Sequence, residues 1–452
     1  MTEPVRLLLG AELTAGNLPA DIERRLVALN TFPNPDHRRK ERLNLWTGGT
    51  DEYIRLARRS PAGLVVPVGN FPRVLELLYD EGIDYELIDD RVSPDLGILP
   101  TPTGELYDYQ AEAVADLIRS PTGLLEAPTG SGKTNMLLSV PARLETPSLV
   151  LVHTRPLLEQ TCERCRSWLG IEPGIIAGKA STIQPITVAM VQTLARRDLA
   201  DIAPRIGAVL VDEVHHAPAR TWASVVNRLP ARYKYGFTAT AWRKDGLDAL
   251  MVRMFGGITA RVDAAVVRLA GRTVPPTISP VRTSFSFALT SPTDWTALLR
   301  ALVADEARNA VIVAEIRRRL ESGARALVLS GRVEHVDALA GHLADLSPVV
   351  LTGGLSKADR ARAMAQVRTG AALTLATTEL MGEGVDVPGW DLLFLTTPIS
   401  GGPRTLQAIG RVTRSAPGKR SATVVDFVDD RVPLLANAFR QRERVYRSVV
   451  EA

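Results

Sequence analysis

The chain has 452 residues, a hydrophobic fraction of 45% and a formal net charge of +4. Its length exceeds what a single hydrophobic core usually supports, so two or three domains are expected. The sequence contains no apolar run of about eighteen residues and does not begin with the pattern of a signal peptide, which argues against a membrane or secreted protein. The small positive charge permits a polyanionic partner without requiring one.

Residues 1–98 are predicted to form a small α+β domain of their own. Segments with helical spacing alternate there with short strand-like segments, in the order LPADIERRLVALN, GLVVPVG, FPRVLELLYDEG and IDYELIDDR. The next segment, SPDLGILPTPTGEL, is rich in proline and glycine and is typical of a linker.

After this linker, apolar strands alternate with helices in residues 99–262 and again in residues 263–452. The first series of strands is TGLLEAP, SLVLVHT, ITVAMVQ, IGAVLVDE and YGFTAT, and the second is RALVLSG, SPVVLTG, ALTLATT, DLLFLTT and ATVVDFV. Such alternation is typical of parallel sheets that are covered by helices on both faces. We predict two similar α/β domains in tandem, joined by a proline-containing junction at residues 263–287.

The two cysteines, Cys162 and Cys165, form a C-x-x-C pair. Such a pair is found in redox couples and in zinc sites, but this chain has no second C-x-x-C, and the nearest histidine, His153, lies nine residues upstream. We expect two reduced thiols that share one face of a helix.

A glycine-rich loop between a predicted strand and a predicted helix indicates a nucleotide site. In the segment LLEAPTGSGKT the glycines allow backbone N–H groups to turn toward phosphate oxygens, and the helix N-terminus adds partial positive charge. The lysine of such a loop reaches the β- and γ-phosphates, and the hydroxyl after it binds Mg²⁺. The predicted site residues are Pro128, Thr129, Gly130, Ser131, Gly132, Lys133 and Thr134.

The segment VLVDEVHHAP brings two carboxylates and two histidines together directly after an apolar strand. A histidine-based transition-metal site is one interpretation, but His215 and His216 are adjacent and cannot easily face one ion from a tight turn. Carboxylates suit Mg²⁺, so Asp212 is predicted to hold this metal through its waters. Glu213 is predicted to orient or deprotonate an attacking water.

The run Asp212-Glu213-Val214-His215, downstream of the glycine-rich loop, resembles the signature of DEAH-like superfamily 2 helicases. Other segments are similar to further motifs of that family, in the correct order. Gln110 lies in a segment similar to the adenine-recognition motif, and Thr238-Ala239-Thr240 is similar to the motif that couples hydrolysis to strand movement. Segments similar to those that grip the nucleic-acid backbone contain Thr154, Arg155, Gln192 and Thr193 in the first α/β domain, and Ser330, Gly331 and Thr378 in the second.

The second α/β domain also contains segments that resemble the ATP-facing motifs of the family. The segment with Gly384 and Asp386 is similar to the motif that touches both the ATP site and nucleic acid. The segment from Gln407 to Arg414 fits the Q-x-x-G-R-x-x-R pattern. This resemblance implies that Arg414 reaches the transferred phosphoryl group from the facing domain, with Arg411 contacting phosphate beside it.

The resemblance implies a fold of two tandem RecA-like parallel-sheet domains with a small N-terminal α+β domain. It also implies that the protein binds ATP and Mg²⁺ and that closure of the cleft between the RecA-like domains is required for catalysis. His215 is implied to hydrogen-bond toward Thr238 or Gln407 and so to sense the phosphate state.

The residues that follow Thr240 resemble one branch of the superfamily. Arg243-Lys244-Asp245 is similar to the Arg-Glu-Asp element of XPB-type helicases, with lysine in place of glutamate, and implies that Arg243 contacts nucleic acid. XPB-type and phage UvsW-type helicases also carry a small N-terminal domain thought to engage DNA. In that region NPDHRRKERLNLWTGGT combines basic residues with Trp46, a mixture that suits phosphates and an unpaired base, although Trp46 could instead anchor a small core.

The resemblance implies an ATP-dependent DNA helicase or translocase, moving 3′ to 5′, in repair, recombination or remodelling of branched DNA. Single-stranded, forked or branched DNA is the expected substrate. One alternative is a duplex DNA translocase in a restriction-type or defence complex, which needs a nuclease or repair protein as partner. The other is an RNA helicase, because no motif reveals contacts to the 2′-hydroxyl. We expect a cytoplasmic protein of bacterial or phage origin that does not contact a membrane.

Overall fold

The computed structural model describes residues 3–96, 102–214, 219–239, 248–288, 295–381, 387, 389–399 and 402–451. By its internal contacts the chain divides into two compact units, Met1–Pro128 with Gly132–Asp263, and Thr129–Ser131 with Ala264–Ala452. Each unit contains a large sheet of mostly parallel strands. None of the helices in the described ranges is both long enough and apolar enough to cross a membrane.

The N-terminal part of the first unit forms a five-stranded sheet with two helices packed on one face. Strand order is β5-β6-β2-β1-β7, antiparallel except for the pair β1 and β7. The elements of this region are β1 (Val5–Leu9), β2 (Leu13–Gly16), α1 (Ala20–Leu29), β3 (Thr31–Pro33), α2 (Pro35–Arg42), β4 (Tyr53–Arg55), β5 (Arg58–Ser60), β6 (Gly63–Val66), α3 (Phe71–Asp80) and β7 (Tyr85–Asp89).

Side-chain periodicity explains how these elements share one core. Alternate residues of β1 are buried, which places a single face of the strand against the helices. In α3 the buried residues Val74, Leu77 and Leu78 follow helical spacing and form one apolar side. The α+β architecture predicted for this region is confirmed, whereas the boundary at residue 98 remains a prediction.

The rest of the first unit is built on an eight-stranded sheet of order β11-β10-β12-β9-β13-β14-β8-β15. All neighbours are parallel except β10 and β11. The elements are α4 (Asp108–Ile118), β8 (Thr122–Glu126), α5 (Lys133–Leu144), β9 (Ser148–Val152), α6 (Arg155–Arg164), β10 (Gly174–Ala177), β11 (Ala180–Ser181), β12 (Ile186–Met190), α7 (Val191–Leu194), β13 (Ala208–Val211), α8 (Ala219–Val226), β14 (Tyr233–Thr238), α9 (Asp248–Phe255) and β15 (Ile258–Arg261).

The hairpin of β3 and β4 connects the N-terminal region to this larger sheet. Its buried residues Phe32 and Ile54 belong to the same hydrophobic cluster as Trp222 and Met251 of the eight-stranded sheet domain. They are not part of the core of the five-stranded sheet, which contains Leu7 and its neighbours. The sequence predicted one self-contained N-terminal domain, but its hairpin packs with the domain that follows, because two buried apolar side chains stabilise that contact.

The second unit is built on a six-stranded parallel sheet of order β16-β21-β20-β17-β19-β18. Its elements are α10 (Ala264–Leu269), β16 (Pro276–Arg282), α11 (Trp295–Ala304), α12 (Glu306–Leu320), β17 (Ala326–Ser330), α13 (Val333–His342), β18 (Val349–Leu351), α14 (Lys357–Thr369), β19 (Leu373–Thr377), α15 (Thr378–Met381), β20 (Leu392–Leu395), α16 (Gly402–Val412), β21 (Ala422–Val428) and α17 (Pro433–Glu451). Both predicted series of strands are present, and the prediction of tandem RecA-like domains is confirmed.

The cysteine pair lies inside the first unit and has no metal partners among the described residues. Cys162 and Cys165 are free and buried, and burial raises the pKa of Cys165 to about 12. No group of three or more His, Cys, Asp or Glu side chains within the described ranges could hold a metal ion. Both thiols lie in the packed interior of the first unit, and the absence of a chemical role for them stays a prediction.

Candidate nucleotide and nucleic-acid sites

The glycine-rich loop connects the end of β8 to the start of α5, which begins at Lys133. Gly130 and Gly132 adopt left-handed backbone conformations, with φ of 87° and 79°. A Cβ atom on Gly132 would lie 2.3 Å from the side-chain nitrogen of Gln110, so any larger residue would collide there. Glycine is therefore required for conformation and for space at this turn, directly before the helix N-terminus that favours anions.

Gln110 is held next to this loop by its own helix. It lies in the first turn of α4, is buried, and its Oε1 accepts a hydrogen bond from the backbone N–H of Tyr107 at 3.0 Å. With its oxygen fixed in this way, the Nε2 group faces Gly132. The structure thus brings the predicted adenine-recognition residue and the phosphate loop together, although they are separated in sequence.

Lys133 lies between the loop and the acidic segment that follows β13. Its Nζ donates a hydrogen bond to the carbonyl oxygen of Ala127 at 3.1 Å, and it is 3.4 Å from a carboxylate oxygen of Glu213. Both charged side chains are largely buried, with 10% and 20% exposed. Two residues that the sequence predicted independently, about eighty positions apart, therefore form one ion pair.

The backbone of Glu213 adopts a strained conformation. Glu213 has a φ of +48°, a conformation that costs a non-glycine residue about 1–2 kcal/mol. Two hydrogen bonds fix this turn. The N–H of Glu213 donates to Oδ1 of Asp212 at 2.9 Å, and the N–H of Val214 donates to the carbonyl of Phe237 at 3.1 Å. Strain maintained by surrounding hydrogen bonds is common at catalytic positions.

Asp212 is a buried carboxylate at the end of β13. Burial, reinforced by the Glu213 carboxylate, raises its pKa to about 7, and the Lys133 ammonium opposes this shift. The hydroxyl of Thr134, in the first turn of α5, is the other predicted metal ligand. A carboxylate and a hydroxyl are hard oxygen donors, which fit Mg²⁺ rather than a transition metal.

The predicted nucleic-acid contacts of the first unit cluster at the ends of the adjacent strands β9 and β12. The Nε2 group of Gln192 donates to the carbonyl of His153 at 2.8 Å, and Thr154 precedes the first turn of α6. Oε1 of Gln192 and Oγ1 of Thr154 are buried and have no hydrogen-bond partner within the described part of the chain. Buried polar atoms of this kind usually require an explanation such as an absent ligand.

Arg155 and Thr193 belong to the same predicted group but differ in availability. Arg155 is exposed and forms a 3.2 Å ion pair with Glu159, one turn along α6, a surface contact that stabilises little. The Thr193 hydroxyl accepts a hydrogen bond from the backbone N–H of Gly178 at 3.2 Å. Arg155 can therefore exchange its partner for a phosphate more easily than Thr193 can.

In the second unit, Ser330 and Thr378 follow the adjacent parallel strands β17 and β19. The Ser330 side chain is fully buried and hydrogen-bonded to Nδ1 of His335 at 3.0 Å, so any nucleic-acid contact here would have to use backbone groups. The N–H of Gly331 donates to the hydroxyl of Thr397 at 2.6 Å. The hydroxyl of Thr378, by contrast, is buried without a partner in the described ranges.

The residues of the Q-x-x-G-R-x-x-R segment occupy α16 and the turn after it. Gln407 and Arg411 are one helical turn apart and are both 8% exposed. Arg414 follows the helix and forms an isolated antiparallel bridge with Thr273. This bridge is flanked by hydrogen bonds that join Val274 to Thr413 at 2.7 Å and Ser415 to Arg272 at 3.1 Å, so the backbone around Arg414 is held by the junction segment.

Several predicted site residues lie outside the described residues. They are His215, Arg243, Gly384 and Asp386, together with Thr240 of the coupling motif. Their roles therefore remain predictions.

The sequence missed two residues that the structure places among the predicted ones. His153 lies in the segment that resembles a nucleic-acid-gripping motif but has no predicted role of its own. Its carbonyl fixes Gln192, and its ring lies edge-on to Trp222 with 6.4 Å between ring centroids. Thr397 fixes the backbone at Gly331. Both follow buried strands, β9 and β20, and a polar residue directly after an apolar run was the signal that could have identified them.

Comparison with known proteins agrees with this geometry. The family "Type III restriction enzyme, res subunit" matches residues 103–243, and the family "Helicase conserved C-terminal domain" matches residues 307–416. "Probable helicase D10" of Escherichia phage T5 is 26% identical over 358 residues, which cover 78% of this chain and 78% of that protein.

Two further likenesses are more limited. "DNA 3'-5' translocase XPB2" of Sulfurisphaera tokodaii is 31% identical over 192 residues, but the match covers only 42% of this chain and 40% of that protein. The crystal structure of T4 UvsW has a TM-score of 0.46 and 17% identity, with 98% of this chain and 97% of that chain covered. Taken with the motifs, the two family matches and the helicase relatives identify the chain as an ATP-dependent helicase enzyme.

Proposed function

We propose that this helicase is a DNA-dependent ATPase that moves 3′ to 5′ along DNA and acts in repair, recombination or the remodelling of branched DNA. One observation carries the proposal. The Lys133–Glu213 pair lies at the same edge of the eight-stranded sheet as the buried, unpartnered oxygens of Thr154 and Gln192. A phosphate-handling group and a backbone-gripping group are therefore built on neighbouring strands.

The ATP-handling roles follow from charge and position. Lys133 would hold the β- and γ-phosphates, and Thr134 with Asp212 would hold Mg²⁺, which when bound neutralises phosphate charge. Glu213 would accept a proton from, or orient, the attacking water, because its carboxylate is fixed beside Lys133 at the end of β13. Gln110 would contact the adenine.

Coupling between hydrolysis and strand movement has a short physical route within the first unit. The N–H of Asp212 donates to the carbonyl of Leu151 at 3.1 Å, near the end of β9. Two residues later, the carbonyl of His153 fixes Gln192. A small shift of the acidic segment would therefore be transmitted through β9 to the two proposed nucleic-acid contacts. We assign the coupling motif at Thr238, which closes the adjacent strand β14, to the same route.

The preference for DNA and the direction of movement are supported by the relatives. The relative from Sulfurisphaera tokodaii is named a DNA 3'-5' translocase. Contacts to the nucleic-acid backbone, such as those proposed for Thr154 and Gln192, do not read the base sequence. We therefore expect binding that depends strongly on salt and on DNA structure, without a consensus sequence.

A second candidate is a duplex DNA translocase that does not separate strands. The match of residues 103–243 to the res subunit of type III restriction enzymes favours it. Such a motor would act with a nuclease or repair protein. Displacement of a triplex-forming strand without unwinding of a forked duplex would favour this candidate over the first.

The deciding experiment compares ATPase stimulation by single-stranded DNA, duplex DNA, forked DNA and matched RNA. We expect the largest stimulation with single-stranded or forked DNA. Equal or greater stimulation by RNA would overturn the DNA assignment and favour an RNA helicase. Unwinding of 3′-tailed but not 5′-tailed substrates would test the direction of movement.

The Lys133→Ala variant tests the ATP site in the same assay. Loss of a preorganised charged donor lowers rates by about 10²–10³-fold at comparable sites, so DNA-stimulated turnover should fall by about that factor. DNA binding in the absence of ATP should be largely retained, which controls for misfolding. Near wild-type turnover in this variant would refute the role of Lys133.

A further inference from the structure

The segment between β3 and β4, residues 34–52, is a compact loop closed at its base by one buried asparagine. The N–H of Asn34 donates to the carbonyl of Glu52 at 2.8 Å, and its side-chain amide donates to the carbonyl of Asp51 at 2.7 Å. Its Oδ1 accepts from the N–H of Asp36 and caps α2. The two ends of the segment are thereby fixed to each other.

Helix α2, in the first half of this segment, presents an excess of basic side chains to solvent. None of its residues is buried. Arg38, Arg39 and Arg42 are exposed, and none of them forms an ion pair with another described residue. The helix also carries the acidic residues Asp36 and Glu41, so its surface is not uniformly positive and the positive charge is concentrated at the three arginines. Unpaired, exposed guanidinium groups are suited to phosphates.

Trp46, in the second half of the segment, is 81% exposed, which excludes the interpretation that it anchors a core. Its indole nevertheless rests on the turn beyond it. A Cβ atom on Gly48 would lie 2.1 Å from a ring carbon, so the ring lies directly against Gly48. One side of the indole is therefore supported by the backbone, and the remainder of the ring is open to solvent.

Hydrogen bonds hold the chain around Trp46 in a defined position relative to α2. The N–H of Leu45 donates to the carbonyl of Lys40 at 2.8 Å, and the ammonium of Lys40 donates to the hydroxyl of Thr50 at 2.5 Å. The N–H of Thr50 in turn donates to the carbonyl of Thr47 at 3.0 Å. The exposed indole thus belongs to an ordered turn, and little conformational entropy would be lost when a flat ligand stacks on it.

The strands that flank residues 34–52 pack against the ATP-binding domain. The strands on either side contribute Phe32 and Ile54 to the hydrophobic core of the eight-stranded sheet domain, where Met251 and Phe255 of α9 also lie. The backbone is linked there as well, since Nε of Arg253 donates to the carbonyl of Leu29 at 3.0 Å. A ligand on the loop would therefore move with the domain that carries Lys133 and Glu213.

We propose that residues 34–52 bind single-stranded DNA by stacking one unpaired base on Trp46 while Arg38, Arg39 and Arg42 hold neighbouring phosphates. This inference rests on the proposed function, because it takes DNA as the substrate, and it adds a contact that lies outside the family motifs. A flat aromatic ring beside guanidinium groups matches the bases and phosphates of a single strand. An aromatic residue that docks a protein partner would not need the unpaired arginines.

Trp46→Ala tests the stacking contact, with Trp46→Phe and Tyr79→Ala as matched variants. Tyr79 is an equally exposed aromatic residue of the N-terminal region, at 86%, but it lies beside acidic residues on α3. The probe is an oligonucleotide with 2-aminopurine in a single-stranded segment, whose fluorescence falls when the base stacks. We expect Trp46→Ala to lose this quenching and to bind single-stranded DNA about tenfold more weakly. Trp46→Phe should retain part of both, and Tyr79→Ala should match the wild type.

Combined replacement of Arg38 and Arg42 with alanine tests the phosphate contacts. The slope of log Kd against log salt for single-stranded DNA should decrease by about 1.4, because each lost phosphate contact contributes about 0.7. Melting curves that match the wild type would show that all variants fold.

The outcomes separate this inference from the proposed function. If the ATPase of the wild type is not stimulated by DNA, the proposed function fails. If it is stimulated but Trp46→Ala binds single-stranded DNA as Tyr79→Ala does, only the inference fails, and a protein partner becomes the better explanation for the exposed indole. Equal weakening of binding to blunt duplex DNA would also overturn the stacking role, because a duplex offers no unpaired base.

Discussion

The two RecA-like sheets have the same parallel architecture but present different chemistry at the ends of their strands. The first sheet ends in a charged, strained cluster, in which Lys133 lies 3.4 Å from Glu213 and Glu213 has a φ of +48°. At the ends of β17 and β20, the second sheet instead carries neutral groups that satisfy one another: the Ser330 hydroxyl is bonded to His335, and the Thr397 hydroxyl accepts from the N–H of Gly331. The charged groups after β21, Asp429 and its partner Arg308, form a buried ion pair with each other. The fold alone therefore does not determine the site, because the loops and helices that follow the strands supply its reactive groups.

The comparison suggests a division of labour that mutations can test. In the first unit, the strained backbone of Glu213 and the buried charges of Lys133 and Glu213 lie where ATP hydrolysis is proposed to occur. In the second unit, we assign the only direct contribution to catalysis to the arginines of α16 and the turn after it. Ser330 and Thr397, at the ends of strands in the second sheet, would hold backbone in position for nucleic acid, and the hydroxyl of Thr378 would contact it directly.

Replacement of Arg414 should give the largest effect. If Arg414 reaches the transferred phosphoryl group, Arg414→Ala should lower DNA-stimulated ATPase activity by about 10³–10⁵-fold, the range for a lost arginine finger. Steady-state hydrolysis at saturating DNA measures this. Arg420→Ala, an exposed arginine in the same unit, serves as a control and should remain near the wild-type rate. A loss of less than tenfold in Arg414→Ala would contradict a catalytic role for Arg414 and would favour a catalytic site formed by the first unit alone.

Glu213→Gln tests the charged cluster of the first sheet with almost no change in shape. Loss of a general base lowers rates by about 10²–10⁴-fold, so ATP hydrolysis should fall by that factor while ATP is still bound. Binding of a fluorescent ATP analogue and hydrolysis should be measured on the same preparation. Full turnover in this variant would show that the strained turn at residue 213 has no catalytic purpose.

His335 provides a pH test of the second sheet. Burial lowers its pKa from 6.5 to about 3, so the folded state keeps it neutral while the unfolded state gains a proton below pH 6.5. Its contribution to stability is therefore complete above pH 6.5 and decreases as the pH falls toward 3, by up to about 1.4 kcal/mol per pH unit. Denaturant unfolding at several pH values should show this slope, and His335→Phe should remove it.

The matched control for this test lies on the same helix. His342 of α13 is exposed, so His342→Phe should keep the wild-type pH dependence. If His335→Phe and the wild type lose stability in parallel as the pH falls, the hydrogen bonds of His335 to Ser330 and Asn309 do not control the acid sensitivity of this unit.

Removal of single hydroxyl groups should give the smallest effect and would test whether each sheet contributes a nucleic-acid contact. Thr154→Val and Thr378→Val each remove a buried hydroxyl that has no partner in the described ranges. If these groups bind DNA, each variant should weaken single-stranded DNA binding about fivefold, the equivalent of one hydrogen bond. Thr193→Val is the control, because the hydroxyl of Thr193 already accepts from Gly178. Unchanged binding in both test variants would refute a role for these hydroxyls in nucleic-acid binding.

Much of the fold was predictable because its central strands are nearly continuous apolar runs. Strands such as β9 and β13 are buried along their whole length, which gives them an unambiguous pattern. The sequence missed β1, although this strand has five residues and is paired on both sides. Other missed strands are short or lie at sheet edges, such as β11 with two exposed residues. Such segments have too little periodicity to be distinguished from loops, and only the neighbouring strand determines their structure.

The sequence by itself determined the parts of the site that depend on local chain conformation. The phosphate loop needs glycines directly before a helix, and the acid pair needs only to follow a buried strand, so Lys133, Asp212 and Glu213 could be identified from their immediate neighbours. Tertiary structure alone decided which side chains of the remaining motifs are available. Ser330 is buried at the end of a strand flanked by β19 and β20, and Trp46 is exposed on a hairpin that packs into the ATP-binding core. Burial depends on contacts between segments that are distant in sequence, and local periodicity does not encode these contacts.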